Sequence, residues 1–389
     1  MDPITLSILI FILLFVLLAI GLPIGFAMAV TGFLGSAMLI DFNAAMALLG
    51  QTAFETPITY NLSIVPLFIL MGYFASNSGL SEALFSACNT WLGSRRGGLA
   101  LATIGGCGAF AAICGSSLAT AATMTQVALP EMKRFNYDDS LATGSIAAGG
   151  TIGILIPPSV ILVLYGILTE SNIGELFLAG FIPGILTVIF FMTTILIVTA
   201  IYPETGPRGA KTTFAQKMGA FKKVWSTMLL FLLVIGGIYL GIFSPEEAAG
   251  IGASGALALA LMARTMTWDI FFDCLMETVK TSAMIFTILI GAILFNNFLV
   301  LSAVPDSIGA WIGGLDMSPT AILIIILLIY LVLGCALDSL AMILLTIPIF
   351  FPVVAKLGFD PIWFGIIVVM VVELGLITPP IGMNVFIIK

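Results

Sequence analysis

"GGTIGILIPPSV", residues 149–160, lies in a stretch apolar enough to cross a bilayer, yet it holds three glycines, a threonine and two adjacent prolines. Proline removes a backbone donor from a helix and clashes with the preceding turn, while glycine lets the chain unwind. The stretch predicts a helix broken at membrane depth. Such a break is tolerable only where protein or a water-filled cavity surrounds the freed backbone groups.

The motif has a twin. Offsetting the chain by 222 residues lays "SSLA" (116–119) onto "DSLA" (338–341), and Pro130, Asp138, Gly153, Pro157 and Pro158 onto Pro352, Asp360, Gly375, Pro379 and Pro380. An offset of 220 adds Gly21/Gly241, Gly32/Gly252 and Gly35/Gly255. The second copy reads "ELGLITPPIGMN" (373–384), so an internal repeat is expected.

Composition sets the class. Of 389 residues, 60% are hydrophobic and 8% charged, and the mean hydropathy is +1.22, which predicts an all-α polytopic membrane protein within a lipid bilayer. The longest polar stretch, residues 202–223, is too short to bury a core of its own. Met1 to Leu22 lacks the basic start of a signal peptide and reads as a retained first span. There is no histidine, which removes imidazole relays and Ser-His catalysis together. The cysteines Cys88, Cys107, Cys114, Cys274 and Cys335 show no paired or metal-ligand spacing. No enzyme and no cofactor is expected, and a chain of net charge −7 has no basic domain for nucleic acid.

Spans are expected near 4–22, 25–40, 57–76, 138–168, 175–201, 222–243, 246–264, 281–300 and 360–388. Residues 97–132 and 319–356 have polar centres, "CGSSLA" and "LDSLA", and fit re-entrant hairpins. This divides the chain into a first repeat with an extra span (1–201), a cytoplasmic linker (202–223) and a second repeat (224–389). The first half contains hairpin 97–132 and broken helix 138–168; the second contains hairpin 319–356 and broken helix 360–388. The extra span 175–201 inverts the second copy, and the repeat predicts its counterpart beyond residue 389. With the linker cytoplasmic, the N-terminus is periplasmic and twelve of the thirteen Lys and Arg lie at or near the cytoplasmic face, Lys356 being the exception. Asp41, Glu55, Glu170, Glu175, Glu246, Glu247, Asp306 and Asp316 then face outward. Two further segments read as interfacial helices: 267–280, with acids at Asp269, Asp273 and Glu277, and the Phe214, Met218, Phe221 stripe of the linker.

Inverted repeats bring two hairpin tips and two broken helices together near the midplane. Freed carbonyls beside hydroxyls suit Na⁺, and a half-helix N-terminus suits an anion. A first sodium site is expected from Gly115, Ser116 and Ser117 facing Gly150, Thr151 and Gly153. A second is expected from Asp338 and Ser339 facing Glu373, Gly375 and Thr378. Substrate is expected against Ser116, Ser117 and the proline pairs Pro157, Pro158, Pro379 and Pro380. Asp338 is the sharpest candidate, because a carboxylate near the midplane costs about 2.5–3.5 kcal/mol on insertion scales and needs a cation or proton to compensate it.

"GCGAFAAICGSSLATAATM", "ALPEMKRFNYDDSLATGSIAAGGTIGILIPPS", "GCALDSLAMILLTIPIFFPV" and "ELGLITPPIGMNVF" occur in this order, and over essentially the whole chain the sequence resembles the large membrane subunit of the tripartite ATP-independent periplasmic (TRAP) transporters. The resemblance implies an elevator-type secondary transporter in the bacterial inner membrane, driven by a sodium gradient. It implies an organic-acid substrate, a C4-dicarboxylate or a sialic acid, delivered by a periplasmic substrate-binding protein. It also implies a small four-helix membrane subunit bracing the scaffold, expected as a separate chain or outside this sequence. The alternative is a stand-alone sodium/anion symporter of related architecture, which needs no binding protein. An intramembrane enzyme lacks a nucleophile–base pair here, and paired re-entrant loops favour alternating access over a channel.

Overall fold

The structure is a computed structural model and describes residues 2–313, 317–335, 337–379 and 382–388; Asp316 and Pro380, named above, lie outside the described residues. Every regular element among the described residues is helical. The first half contains α1 (Pro3–Ala19), α2 (Ile24–Leu39), α3 (Phe42–Ile58), α4 (Ile64–Asn77), α5 (Leu80–Leu92), α6 (Gly98–Cys114), α7 (Ser117–Arg134), α8 (Asp139–Leu155), α9 (Val160–Thr169) and α10 (Ile173–Ile201). The second contains α11 (Phe214–Tyr239), α12 (Pro245–Met262), α13 (Trp268–Leu301), α14 (Val304–Gly313), α15 (Pro319–Gly334), α16 (Ser339–Lys356), α17 (Pro361–Gly375) and α18 (Met383–Ile388).

Short polar side chains start these helices. Ser116, Asp138, Ser159, Asp338 and Asp360 each accept a backbone N–H of the first turn that has no helical partner. The caps fall at equivalent points of the two halves: Ser116 with Asp338, and Asp138 with Asp360. At Asp138, exposed before α8, the hydroxyl and amide of Ser140 hold the carboxyl below the usual carboxylate range.

Among the described residues, α10, α11, α13 and α16 are long and apolar enough to cross a membrane singly; two bent pairs qualify together, α3 with 60–77 (57°) and α8 with α9 (42°). Helices α1, α2, α6, α15 and α17 are apolar but have at most 17 residues. At 1.5 Å per residue that is about 26 Å, short of the roughly 30 Å of hydrocarbon. The expected span 57–76 is thus the second arm of a bent pair whose first arm, α3, is capped by Asp41. The two segments expected to be interfacial begin longer helices. Residues 268–280 continue without a break into α13, a single 34-residue helix, and the Phe214 stripe forms the opening turns of α11.

The largest helix interface sets α2 on α13, and another large one sets α4 on α12. Each joins the two halves of the chain. A methyl at Gly32 would come within 2.5 Å of the Phe295 backbone, and one at Gly25 within 2.8 Å of Ile288, so only glycine admits α13 this closely. Across the other seam a methyl at Gly252 would come within 2.5 Å of the Met71 sulfur. Residues 202–213 form a strap over the base of the α6–α7 pair. Gly97 donates to the Gly206 carbonyl (2.9 Å), Gly209 to Gly93 (3.1 Å), Asp138 to Thr205 (3.0 Å), and the Thr212 hydroxyl to Thr90 (2.8 Å). Tyr137, buried, donates its hydroxyl to Pro207 O and accepts the Leu99 N–H, both at 3.0 Å.

Candidate functional site

Helices α6 and α7 fold back on each other through Gly115 and Ser116; α15 and α16 pack against each other, with Cys335, Leu337 and Asp338 between them. Gly115 takes φ +63, a conformation that favours glycine, and its Cα faces the Pro158 carbonyl in the break between α8 and α9. That break carries a cis Pro157–Pro158 bond.

Both tips open into one cavity of about 270 Å³. Gly115, Ser116 and Ser117 line it from the first tip, and Asp338 and Ser339 from the second. Val160 brings the start of α9 to the same space, while Tyr73 of α4 and Thr281 of α13 close the opposite wall, joined by a 3.0 Å hydroxyl contact. Three helix N-termini, those of α7, α9 and α16, therefore converge on one hollow, each with its positive dipole end. Asp338 is the acidic side chain among them. Its Oδ1 accepts the Ala341 N–H at 2.7 Å, so the carboxylate is fixed in place by the helix it caps.

A second polar cluster sits behind the first tip. Glu373 of α17 is 2% exposed, Ser117 1% and Asn384 of α18 0%, and the Ser117 hydroxyl, both Glu373 oxygens and the Asn384 Oδ1 have no hydrogen-bond partner among the described residues. The Ser117 hydroxyl faces the Glu373 carboxyl without closing a hydrogen bond. Gly150 lies between Ser117 and Asn384: a methyl there would approach the Ser117 carbonyl to 3.3 Å and the Asn384 amide nitrogen to 3.2 Å.

The first expected group is thus gathered in space, and a methyl at Gly153 would come within 2.6 Å of the Ser116 carbonyl. Thr151 is buried there, but its hydroxyl is spent on the Ala148 carbonyl of its own helix (2.6 Å). The second group divides. Asp338 and Ser339 line the cavity, Glu373 faces Ser117 of the other tip, Gly375 packs on Gly334, and Thr378, in the turn after α17, donates its hydroxyl to the Leu374 carbonyl at 2.7 Å. Pro157 and Pro158 are buried, while Pro379 is exposed. Asn384, Tyr73 and Thr281 were not singled out from the sequence; the available signal was a lone polar side chain inside an apolar run.

A family model, the DctM component of tripartite ATP-independent periplasmic transporters, matches residues 11–389. The C4-dicarboxylate TRAP transporter large permease protein DctM of Pseudomonas aeruginosa is 36% identical, over 92% of this chain and 83% of that protein. The isethionate TRAP transporter permease protein DctMQ of Oleidesulfovibrio alaskensis is 35% identical over 91% of this chain and 56% of its own. The sialic acid TRAP transporter large permease protein SiaM of Vibrio cholerae is 32% identical, over 85% and 78%. Among solved structures, the YdaH transporter of Alcanivorax borkumensis matches with a TM-score of 0.62 over 90% of this chain and 81% of that one, at 14% identity, a likeness of fold alone. These relatives are permeases rather than enzymes, and the family model spans nearly the whole chain: the chain belongs to the DctM family of tripartite ATP-independent periplasmic transporters.

Proposed function

We propose that this chain carries an organic-acid anion across the inner membrane, with its N-terminus periplasmic, coupled to entry of Na⁺. The observation that carries this reading is the single cavity where three helix N-termini meet one fixed carboxylate. Helix N-termini favour the anion, and Asp338 with nearby hydroxyls and carbonyls favours a monovalent cation, so each ligand improves the site for the other. The names of the relatives speak of C4-dicarboxylate, sialic acid and isethionate, all small organic anions, and an acid of this class is proposed here.

A periplasmic binding protein delivers the substrate and a small four-helix subunit braces the scaffold in this proposal. The tips, with α8, α9, α17 and α18, move as one body against α2, α4, α12 and α13. The cavity lies at the boundary between those groups, which is what an elevator step requires. In the test, the chain is reconstituted with both partners, and uptake of a panel of acids is measured while sodium and proton gradients are varied separately. Uptake indifferent to sodium sinks the coupling; uptake without a binding protein favours a stand-alone symporter.

A further inference from the structure

Three arginines gather at the end of the molecule where the strap crosses. Arg95 and Arg96 lie in the turn between α5 and α6 and Arg208 in the strap; with Ser94, Leu196 and Thr199 they line a surface pocket of about 550 Å³. All three are exposed, and none pairs with a carboxylate: the ion pairs among the described residues are Arg134–Glu131, Lys280–Glu277 and Lys356–Asp306. Glu204, on the same strap, pairs with none of them.

The arrangement is imposed by the backbone. Gly97 and Gly209 tie the turn to the strap on both sides of the pocket, and a methyl at Gly206 would meet Gly97 Cα at 2.9 Å, so the like charges cannot drift apart by moving the strap away. Like charges held around one hollow repel unless an anion occupies it. Guanidinium groups are suited to phosphate, whose oxygens accept paired N–H donors.

The pocket's position selects the source of that phosphate. Its wall is the last part of α10, a span with only 11% of its apolar window buried, and Leu196 and Ile197 there are 39% and 54% exposed. Trp91 and Tyr202, both exposed, stand at the same end, as aromatic side chains do at headgroup level. We infer that the pocket binds the headgroup phosphate of an anionic phospholipid, with its acyl chains lying along Leu196 and Ile197. The lipid neutralises the three arginines and holds the strap against the base of the first hairpin.

The full chain, purified in detergent and stripped of lipid, is heated with phosphatidylglycerol, phosphatidylcholine or inorganic phosphate. Phosphatidylglycerol raises the unfolding midpoint; the other two leave it in place. The variant Arg95→Gln/Arg96→Gln/Arg208→Gln loses that shift, and native mass spectrometry shows retention of phosphatidylglycerol falling by roughly fivefold per charge removed. Lys222→Gln/Lys223→Gln, basic positions outside the pocket, keeps both properties. An equal shift with inorganic phosphate makes this a free-anion site and overturns the lipid assignment. Undiminished phosphatidylglycerol retention by the arginine variant overturns the pocket itself.

Discussion

A methyl group added at Gly115 would stand 2.5 Å from the carbonyl oxygen of Pro158, so the first hairpin tip and the break between α8 and α9 are fitted to each other at the backbone. Gly115→Ala therefore meets two penalties: a left-handed conformation costing about 1–2 kcal/mol and a clash with an atom that no side-chain rotation can move. Gly79, at φ +75 with nothing within 4 Å of its methyl position, isolates the first penalty. Thermal unfolding is expected to show a much larger drop for Gly115→Ala than for Gly79→Ala. Equal drops would mean the tip relaxes away from Pro158.

Asp338 has two roles that substitutions separate. Asparagine preserves the cap on the Ala341 N–H and deletes the charge; alanine deletes both, with a capping loss of about 0.5–2 kcal/mol. We predict that Asp338→Asn unfolds near the wild-type temperature but shows weakened sodium dependence of uptake in proteoliposomes, while Asp338→Ala loses stability too. An unchanged apparent sodium affinity in Asp338→Asn would reduce the carboxylate to a capping group. Ser339→Ala is expected to have the smaller effect on sodium dependence.

An ionised carboxyl buried without a partner costs several kcal/mol, and Glu373 is buried with none among the described residues. Glutamine is its neutral isostere. Glu373→Gln is expected to unfold at or above the wild-type midpoint and to lose uptake, which separates a transport role from a packing one. Full uptake by a stable Glu373→Gln would leave the carboxyl only a structural part.

Tyr137→Phe deletes the hydroxyl that bridges Leu99 and Pro207 and leaves the Leu99 N–H without its partner. The expected loss is about 1–3 kcal/mol, read as a lower unfolding midpoint, and limited proteolysis should cut the strap near Arg208 sooner. Wild-type resistance would show that the remaining backbone bonds suffice.

The charge asymmetry predicts the strap inside and the α9–α10 turn outside. Thr212 is a poor reporter because its hydroxyl bonds Thr90, whereas Lys211 and Asn172 are exposed. In a cysteine-free background, Lys211→Cys should label only from the cytoplasmic side and Asn172→Cys only from the periplasmic side. Labelling of both from one side removes the assigned topology.

What the sequence made legible was governed by local chemistry. The break at residues 156–159 follows from Pro157 and Pro158, and the starts of α7 and α16 follow from Ser116 and Asp338, residue types that cap helices wherever they stand. The continuity of α13 was hidden for the converse reason. Lys280, Thr281 and Ser282 interrupt the apolar run but not the helix, since polarity alone breaks no backbone hydrogen bond. Asp41, placed above only among the outward-facing acids, caps the start of α3. The approach of Ser117 to Glu373 was out of reach because an offset alignment compares positions between copies, whereas these two residues face each other across them without bonding.

The seams of α2 on α13 and of α4 on α12 bear on how such a chain comes to exist. Each half offers a glycine-bearing face whose complement is in the other half, so neither copy encloses its own interior. A polypeptide cut in the strap should therefore yield two fragments that behave as obligate partners, recoverable together from co-expression and insoluble alone.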